Sequence, residues 1–268
     1  MTSYVPLSAI DLMIAATLIL LNGAISIAYG LKLEKSLAIA SLRMIVQLAV
    51  VALVLKFIFA QNSGIWTVLF ALVMAVGAGA EIIMRQERRF TSWRAKLLSS
   101  SPAFIAGLIT TCLALAVIQP SPWYAPRFLL PILGMLVGNA LSGVALVVDA
   151  MTSGAVRERA AIEARIALGA SRFQAFEDIL RRSLRTGLMP ILNAMAAAGI
   201  VSLPGMMTGQ ILAGIDPVEA AKYQVMIMFL IAGATTISVV AGGLAAIHLL
   251  TDERHRLRLD RLSKPSES

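Results

Sequence analysis

The sequence predicts an all-α, polytopic integral membrane protein of about seven transmembrane helices. The N-terminus is expected outside, the C-terminus in the cytoplasm, and one cytoplasmic loop is expected to form a helix-turn-helix. Three observations predict this. Of 268 residues, 58% are hydrophobic and only 14% are charged, where a soluble domain carries about 25% charged residues. Apolar runs long enough to cross a bilayer, about 20 residues each, recur along the chain. The basic residues lie between those runs, mostly in alternate loops, a pattern that encodes orientation.

In chain order the spans are expected at 8–28, 37–59, 64–84, 102–118, 128–149, 188–211 and 222–250. The first contains Asp11 and Asn22, and the fourth is short, stopping at Gln119-Pro120-Ser121-Pro122. Met1-Thr2-Ser3-Tyr4 carries no Lys or Arg and no small-residue cleavage pattern follows, so the first span reads as retained. Lys32 and Lys35 follow the first span, and Arg85, Arg88, Arg89, Arg94 and Lys96 follow the third. Arg157, Arg159, Arg165, Arg172, Arg181, Arg182 and Arg185 follow the fifth, and Arg254, Arg256, Arg258, Arg261 and Lys264 follow the last. Only Lys56, Arg127 and Lys222 occupy the alternate loops and helix ends, nineteen against three, which places the four basic segments in the cytoplasm. The net charge of +8 is therefore topological. A nucleic-acid partner, which needs a solvated basic face with interleaved aromatics, is not expected.

One Cys and two His exclude a disulfide framework and a Cys/His zinc site. Soft-metal ligands are equally scarce: Cys112 stands alone in an apolar run, His248 near a helix end and His255 in the tail. Met206, Met207, Met226 and Met228 cluster in sequence, although methionine in an apolar helix usually serves packing.

Most residues outside the membrane are expected between the fifth and sixth spans, at 150–187. Val156 to Leu168 is Ala-rich and helix-forming, Gly169 supplies a turn, and Ser171 can cap a second helix. In that helix Phe173, Phe176, Ile179/Leu180 and Leu184 recur on one face as an exposed apolar stripe flanked by arginines. Such a stripe serves either an interfacial helix on the anionic inner leaflet or a docking element that lays i, i+3, i+7 anchors into a partner's groove. Bacterial ABC-importer permeases carry a coupling loop of the form Glu-Ala-Ala, three residues, Gly, nine residues, Ile, one residue, Leu-Pro. This chain is similar at Glu163-Ala164, at Gly169 six positions after the Glu, and at Ile179 ten positions after the Gly. It departs at Arg165 and at Arg181-Arg182, and Pro190 comes only later. No Gly-Lys dipeptide exists in the chain, so a Gly-x-x-x-x-Gly-Lys-Ser/Thr phosphate cradle is absent, and any ATP must bind a separate subunit.

In the sixth span, Val201-Ser202-Leu203-Pro204-Gly205-Met206-Met207-Thr208-Gly209-Gln210 predicts a kink or break, because Pro204 removes a backbone donor and Gly205 weakens the helix. Gly205 and Gly209 form a small-xxx-small pair that allows close helix approach. A broken helix at membrane depth must be buried in protein or line a cavity, so Ser202, Pro204, Gly205, Met206, Met207 and Thr208 are candidate pathway residues.

The stretch Ser202 to Pro217, with Lys222-Tyr223-Gln224-Val225-Met226, resembles the FetB-type iron-export ABC transporter permeases, which are related to plant aluminium-tolerance half-transporters. The similarity extends through Arg43 with Gln47-Leu48, Pro131-Ile132-Leu133-Gly134-Met135 with Gly138-Asn139, and Leu168-Gly169-Ala170. The resemblance implies a single permease domain over 1–268, with a coupling loop at 150–187 and a basic tail at 251–268. It implies a permease homodimer in a bacterial inner membrane, joined to two ATPase subunits that carry ATP and Mg, with no cofactor in this chain. The coupling residues would be Glu163, Ala164, Leu168, Gly169, Ala170, Phe173, Phe176 and Ile179. Iron or another metal would be exported.

Charges within spans cost roughly 3 kcal/mol or more and so tend to be paired or functional. Arg43, Glu81 and Asp149 all lie in the cytoplasmic third of their spans, and an ion pair of Arg43 with Glu81 or Asp149 is expected, as a structural staple or as part of a substrate vestibule. Asn22, Gln47, Asn139, Asn193 and Gln210 are expected to bond between helices, with hydration of a pathway as the alternative. A membrane enzyme is disfavoured, since Gly-x-Ser-x-Gly and His-Glu-x-x-His are absent. An ion-coupled secondary transporter or channel is the rival reading, although no inverted repeat is evident.

Overall fold

The computed structural model describes residues 8–61, 63–84, 86 and 88–263. The readings at Met1-Thr2-Ser3-Tyr4, Arg85 and Lys264 lie outside the described residues. Nine α-helices follow one another among the described residues: α1 (Ala9–Ala28), α2 (Glu34–Gln61), α3 (Gly64–Met84), α4 (Trp93–Ile118), α5 (Pro126–Arg157), α6 (Arg159–Ala167), α7 (Arg172–Ala197), α8 (Gly205–Leu212) and α9 (Pro217–Leu250). Six of them, α1 to α5 and α9, are long and apolar enough to cross a membrane. The chain divides into two compact units, Met1–Asn62 and Ser63–Ser268.

The first unit is the α1–α2 hairpin. Ser8 caps α1 in a reciprocal box with Asp11. The buried Ser26 hydroxyl donates to Glu34 at 3.0 Å and accepts the Leu33 N–H at 2.9 Å, which joins the end of α1 to the start of α2. Leu18, Leu20, Leu42, Val46 and Leu53 are among the apolar side chains these helices leave exposed, as lipid-facing helices do.

The second unit is organised round α5, whose buried face packs against α3, α4, α7 and α9. Close contact depends on small residues, the usual device where lipid removes the hydrophobic drive between helices. A Cβ built on Gly187 would lie 2.9 Å from the Gly143 carbonyl oxygen, and one on Gly143 would lie 3.1 Å from the Gly187 carbonyl, so α5 and α7 approach nearly backbone to backbone.

Three expected boundaries are corrected. The fourth span starts at Trp93 rather than 102, with Pro102 inside α4. Proline frees the carbonyl four residues back, and the Ser101 hydroxyl donates to that Leu98 carbonyl at 3.5 Å. α5 continues past 149 to Arg157, and α9 begins at Pro217, where the Asp216 carboxylate accepts the Val218 and Glu219 N–H groups.

The expected sixth span, 188–211, is not one helix. α7 runs unbroken from Arg172 through Pro190 to Ala197, and a turn in which Ser202 N–H donates to the Ala197 carbonyl then separates it from α8, capped by Pro204. The break expected at Pro204-Gly205 therefore lies over 198–204. Gly205 and Gly209 have nothing within 4 Å of where a Cβ would be, so the close helix approach expected of that pair is not made among the described residues.

Candidate functional site

The elbow between α6 and α7 is built by local chemistry. Gly169 adopts φ +92°, a conformation that an L side chain resists. Ser171 then caps α7: its hydroxyl accepts the Gln174 N–H at 3.4 Å, while its own N–H donates to Gln174 Oε1 at 2.9 Å. Arg165 Nη2 contacts Asp178 at 2.6 Å across the elbow, and Arg182 Nη2 reaches both Glu158 oxygens at 2.6 and 2.7 Å. The Arg165 guanidinium, by its hydrogen bond and its charge, holds the Asp178 carboxyl below its ordinary range.

The expected exposed stripe is corrected by the packing. Phe176 is 0% and Ile179 4% exposed, and with Ile162 they belong to the chain's own core, with Ile179 set against Gly154 of α5. Leu184 and Leu180 pack on the same core. What faces outward is the elbow itself: Glu163, Ala164 and Gly169 are exposed, Ala170 is half-buried, and Leu168 is 88% exposed. Phe173, 40% exposed, lies edge-on to His248 at 5.4 Å with the Arg172 guanidinium over its ring.

The basic tail, 251–263 as described, folds back on the elbow and on the α3–α4 loop. His255 Nδ1 accepts the Arg172 N–H at 3.4 Å. Ser263 N–H donates to the Arg89 carbonyl, Thr91 N–H donates to the Arg261 carbonyl, and Phe90, 1% exposed, pairs with Leu262. Arg261 donates to the Leu249 and Thr251 carbonyls at the end of α9. The sequence carried no local signal for this clasp, since its contacts join distant segments through ordinary loop residues.

A second feature is a 570 Å³ cavity where α8 meets α4, α5 and α9, bordered by Arg127, Met135, Met206, Gln210, Tyr223 and Ile227. Of the candidate pathway residues, the structure brings only Met206 to this cavity. Thr208 donates to the Pro204 carbonyl at 3.2 Å and Ser202 to the Ala197 carbonyl at 3.5 Å, while Met207 is half-buried. Asn139 donates to the Met135 carbonyl at 2.8 Å within α5, so its expected bond between helices is replaced by one inside its own. Gln210 Oε1 is buried with no hydrogen-bond partner among the described residues, again in place of an interhelical bond. Arg43 and Gln47 lie on α2 of the first unit, and Glu81 and Asp149 on α3 and α5 of the second. Arg127 and Tyr223 were missed as cavity residues: Arg127 read as one of three charges on the sparsely basic side. Among the described residues no group of three or more His, Cys, Asp or Glu could hold a metal ion.

Residues 9–249 match the family described as uncharacterised protein family UPF0014. The chain is 35% identical over 228 residues to a UPF0014 membrane protein of Synechocystis, covering 83% of this chain and 86% of that one. It is 32% identical over 254 residues to the Probable iron export permease protein FetB of Escherichia coli, covering 95% and 96%. It is 33% identical over 226 residues to the protein ALUMINUM SENSITIVE 3 of Arabidopsis thaliana, covering 84% and 81%. No solved structure matches it significantly. The apolar helices and these relatives make it a multi-pass inner-membrane protein. Its near full-length match means that the chain belongs to the UPF0014 family of membrane proteins.

Proposed function

We propose that this chain is the transmembrane permease subunit of an ATP-binding cassette transporter, acting as a homodimer with a separate ATPase subunit that binds ATP and Mg, and that it exports iron or another metal. The observation that carries the ATPase coupling is the α6–α7 elbow. Ile162, Phe176 and Ile179 root it in the core while Leu168 projects outward. A push on Leu168 is thereby transmitted to α5 and α7 as rigid levers, since a close-packed core moves as a body. The arginine-rich end, carrying the elbow, faces the cytoplasm under the positive-inside rule. The export of iron is supported by the name of the FetB relative.

The test is purification from the native membrane. Co-purification of an ATPase whose hydrolysis rate depends on Leu168 and Gly169 is expected. A transport-competent chain without any such subunit overturns the reading in favour of an ion-coupled transporter or channel.

A further inference from the structure

We propose that the cavity bordered by Arg127, Met206 and Gln210 is a binding site for a small hydroxylated organic anion, free or wrapped round a metal ion. This deepens the permease reading, on which it rests, by naming the class of substrate.

Four observations converge. The volume of 570 Å³ falls in the range of small-molecule sites, about 300–1,000 Å³. Arg127 is the one charged residue on its lining, no Asp or Glu joins it, and Arg127 makes no ion pair or hydrogen bond among the described residues. Arg127 is exposed, and a guanidinium beside a mainly apolar cleft is a forked donor matched to carboxylate geometry that repels a bare divalent or trivalent cation. The remaining wall is mainly apolar, with Met135, Met206 and Ile227 against the body of a ligand and the Tyr223 phenol as a polar tip. Gln210, on α8, carries an uncommitted amide oxygen. Amide side chains turn readily about their last torsion, so Gln210 can accept from a ligand hydroxyl while Arg127 donates to its carboxylate.

The same chemistry accounts for a metal transporter poor in metal ligands. Among the described residues no group of three or more His, Cys, Asp or Glu offers a bare ion a site. Iron bound by a hydroxycarboxylate presents the protein with an anion, and Arg127 recognises that anion rather than the metal.

The experiment uses the full chain in phosphatidylcholine nanodiscs without an ATPase, with radiolabelled citrate, ferric citrate and Fe(II) alone as probes. Saturable binding of citrate or its ferric complex is expected, and whichever binds more tightly identifies the free or the metal-bound source. Arg127→Gln is expected to weaken that binding about tenfold or more, Arg127→Lys less, because one charge-assisted contact is lost. Gln210→Leu, a second change in the same cavity, is expected to weaken it as well. Three outcomes overturn the proposal: neither anion binds, Arg127→Gln and Gln210→Leu both bind as wild type, or nanodiscs containing phosphatidylglycerol abolish binding and so assign the site to a lipid. Because binding is read without the ATPase, these failures leave coupling at Leu168 intact, whereas absence of an ATPase partner leaves anion binding measurable.

Discussion

Leu168 and Phe176 lie eight positions apart, are both large and apolar, and do opposite work. Leu168 is 88% exposed, so Leu168→Ala is expected to change stability by less than about 0.5 kcal/mol. It is nevertheless expected to abolish stimulation of the partner ATPase, measured as hydrolysis in the reconstituted complex. Phe176 is fully buried, and Phe176→Ala is expected to cost about 3–5 kcal/mol by leaving a cavity, read as a lowered thermal midpoint in detergent. Gly169→Ala places a Cβ at φ +92° and is expected to cost about 1–2 kcal/mol, concentrated in the elbow and read as faster hydrogen exchange at 168–172. Arg43 stays a proposed vestibule residue because a charge within a span is expensive to keep. Arg43→Ala is expected to lose export with normal insertion and assembly, and rescue by an apolar residue of similar size counts against that role.

At the scale of elements, the α5–α7 contact is where the proposed coupling would carry a push from the elbow toward the membrane. The two helices touch where Gly187 and Gly143 leave no room for side chains, beside Val147 and Val239. Gly187→Val is expected to separate them and to destabilise by about 1–3 kcal/mol through overpacking, checked by thermal unfolding. The same helices show why periodicity misled the reading of the loop. An amphipathic pattern states that one face of α7 is apolar, but a face buried by α5 and a face offered to a partner have the same spacing. The 188–211 run failed for a related reason. Hydropathy counts apolar residues without asking whether backbone donors are satisfied, and it passes over the reversal at 198–204 that ends α7 and starts α8.

For the whole molecule, the tail is a clasp rather than a free basic segment. Deleting 257–268 is expected to uncover Phe90 and to make the α3–α4 loop sensitive to protease, a change that limited proteolysis detects. The clasp also has a pH signature. The Arg258 guanidinium, by hydrogen bond and charge, lowers the Asp260 carboxyl from 3.8 to about 2. A depressed folded value means the pair contributes fully above the unfolded value and is lost as pH falls through the folded one. Exchange protection at 257–263 is therefore expected to be unchanged down to about pH 4 and to weaken, without being lost, toward pH 2, since an exposed ion pair contributes little beside the other contacts of the tail.

The sequence by itself determined the membrane class, the first three spans within a few residues, the Gly169 turn, the Ser171 cap and the region of the break near Pro204. Those properties are local: run length, a missing backbone donor and a capping side chain act over a few positions. Only the tertiary structure decided that Phe176 and Ile179 turn inward, that α4 runs through Pro102 with Ser101 meeting the freed carbonyl, that the tail closes on Phe90, and that Arg127 shares a cavity with Met206 and Gln210. Each is a choice of neighbour between segments distant in the chain. Hydrophobic spacing specifies that a surface must be covered, and packing alone specifies by what.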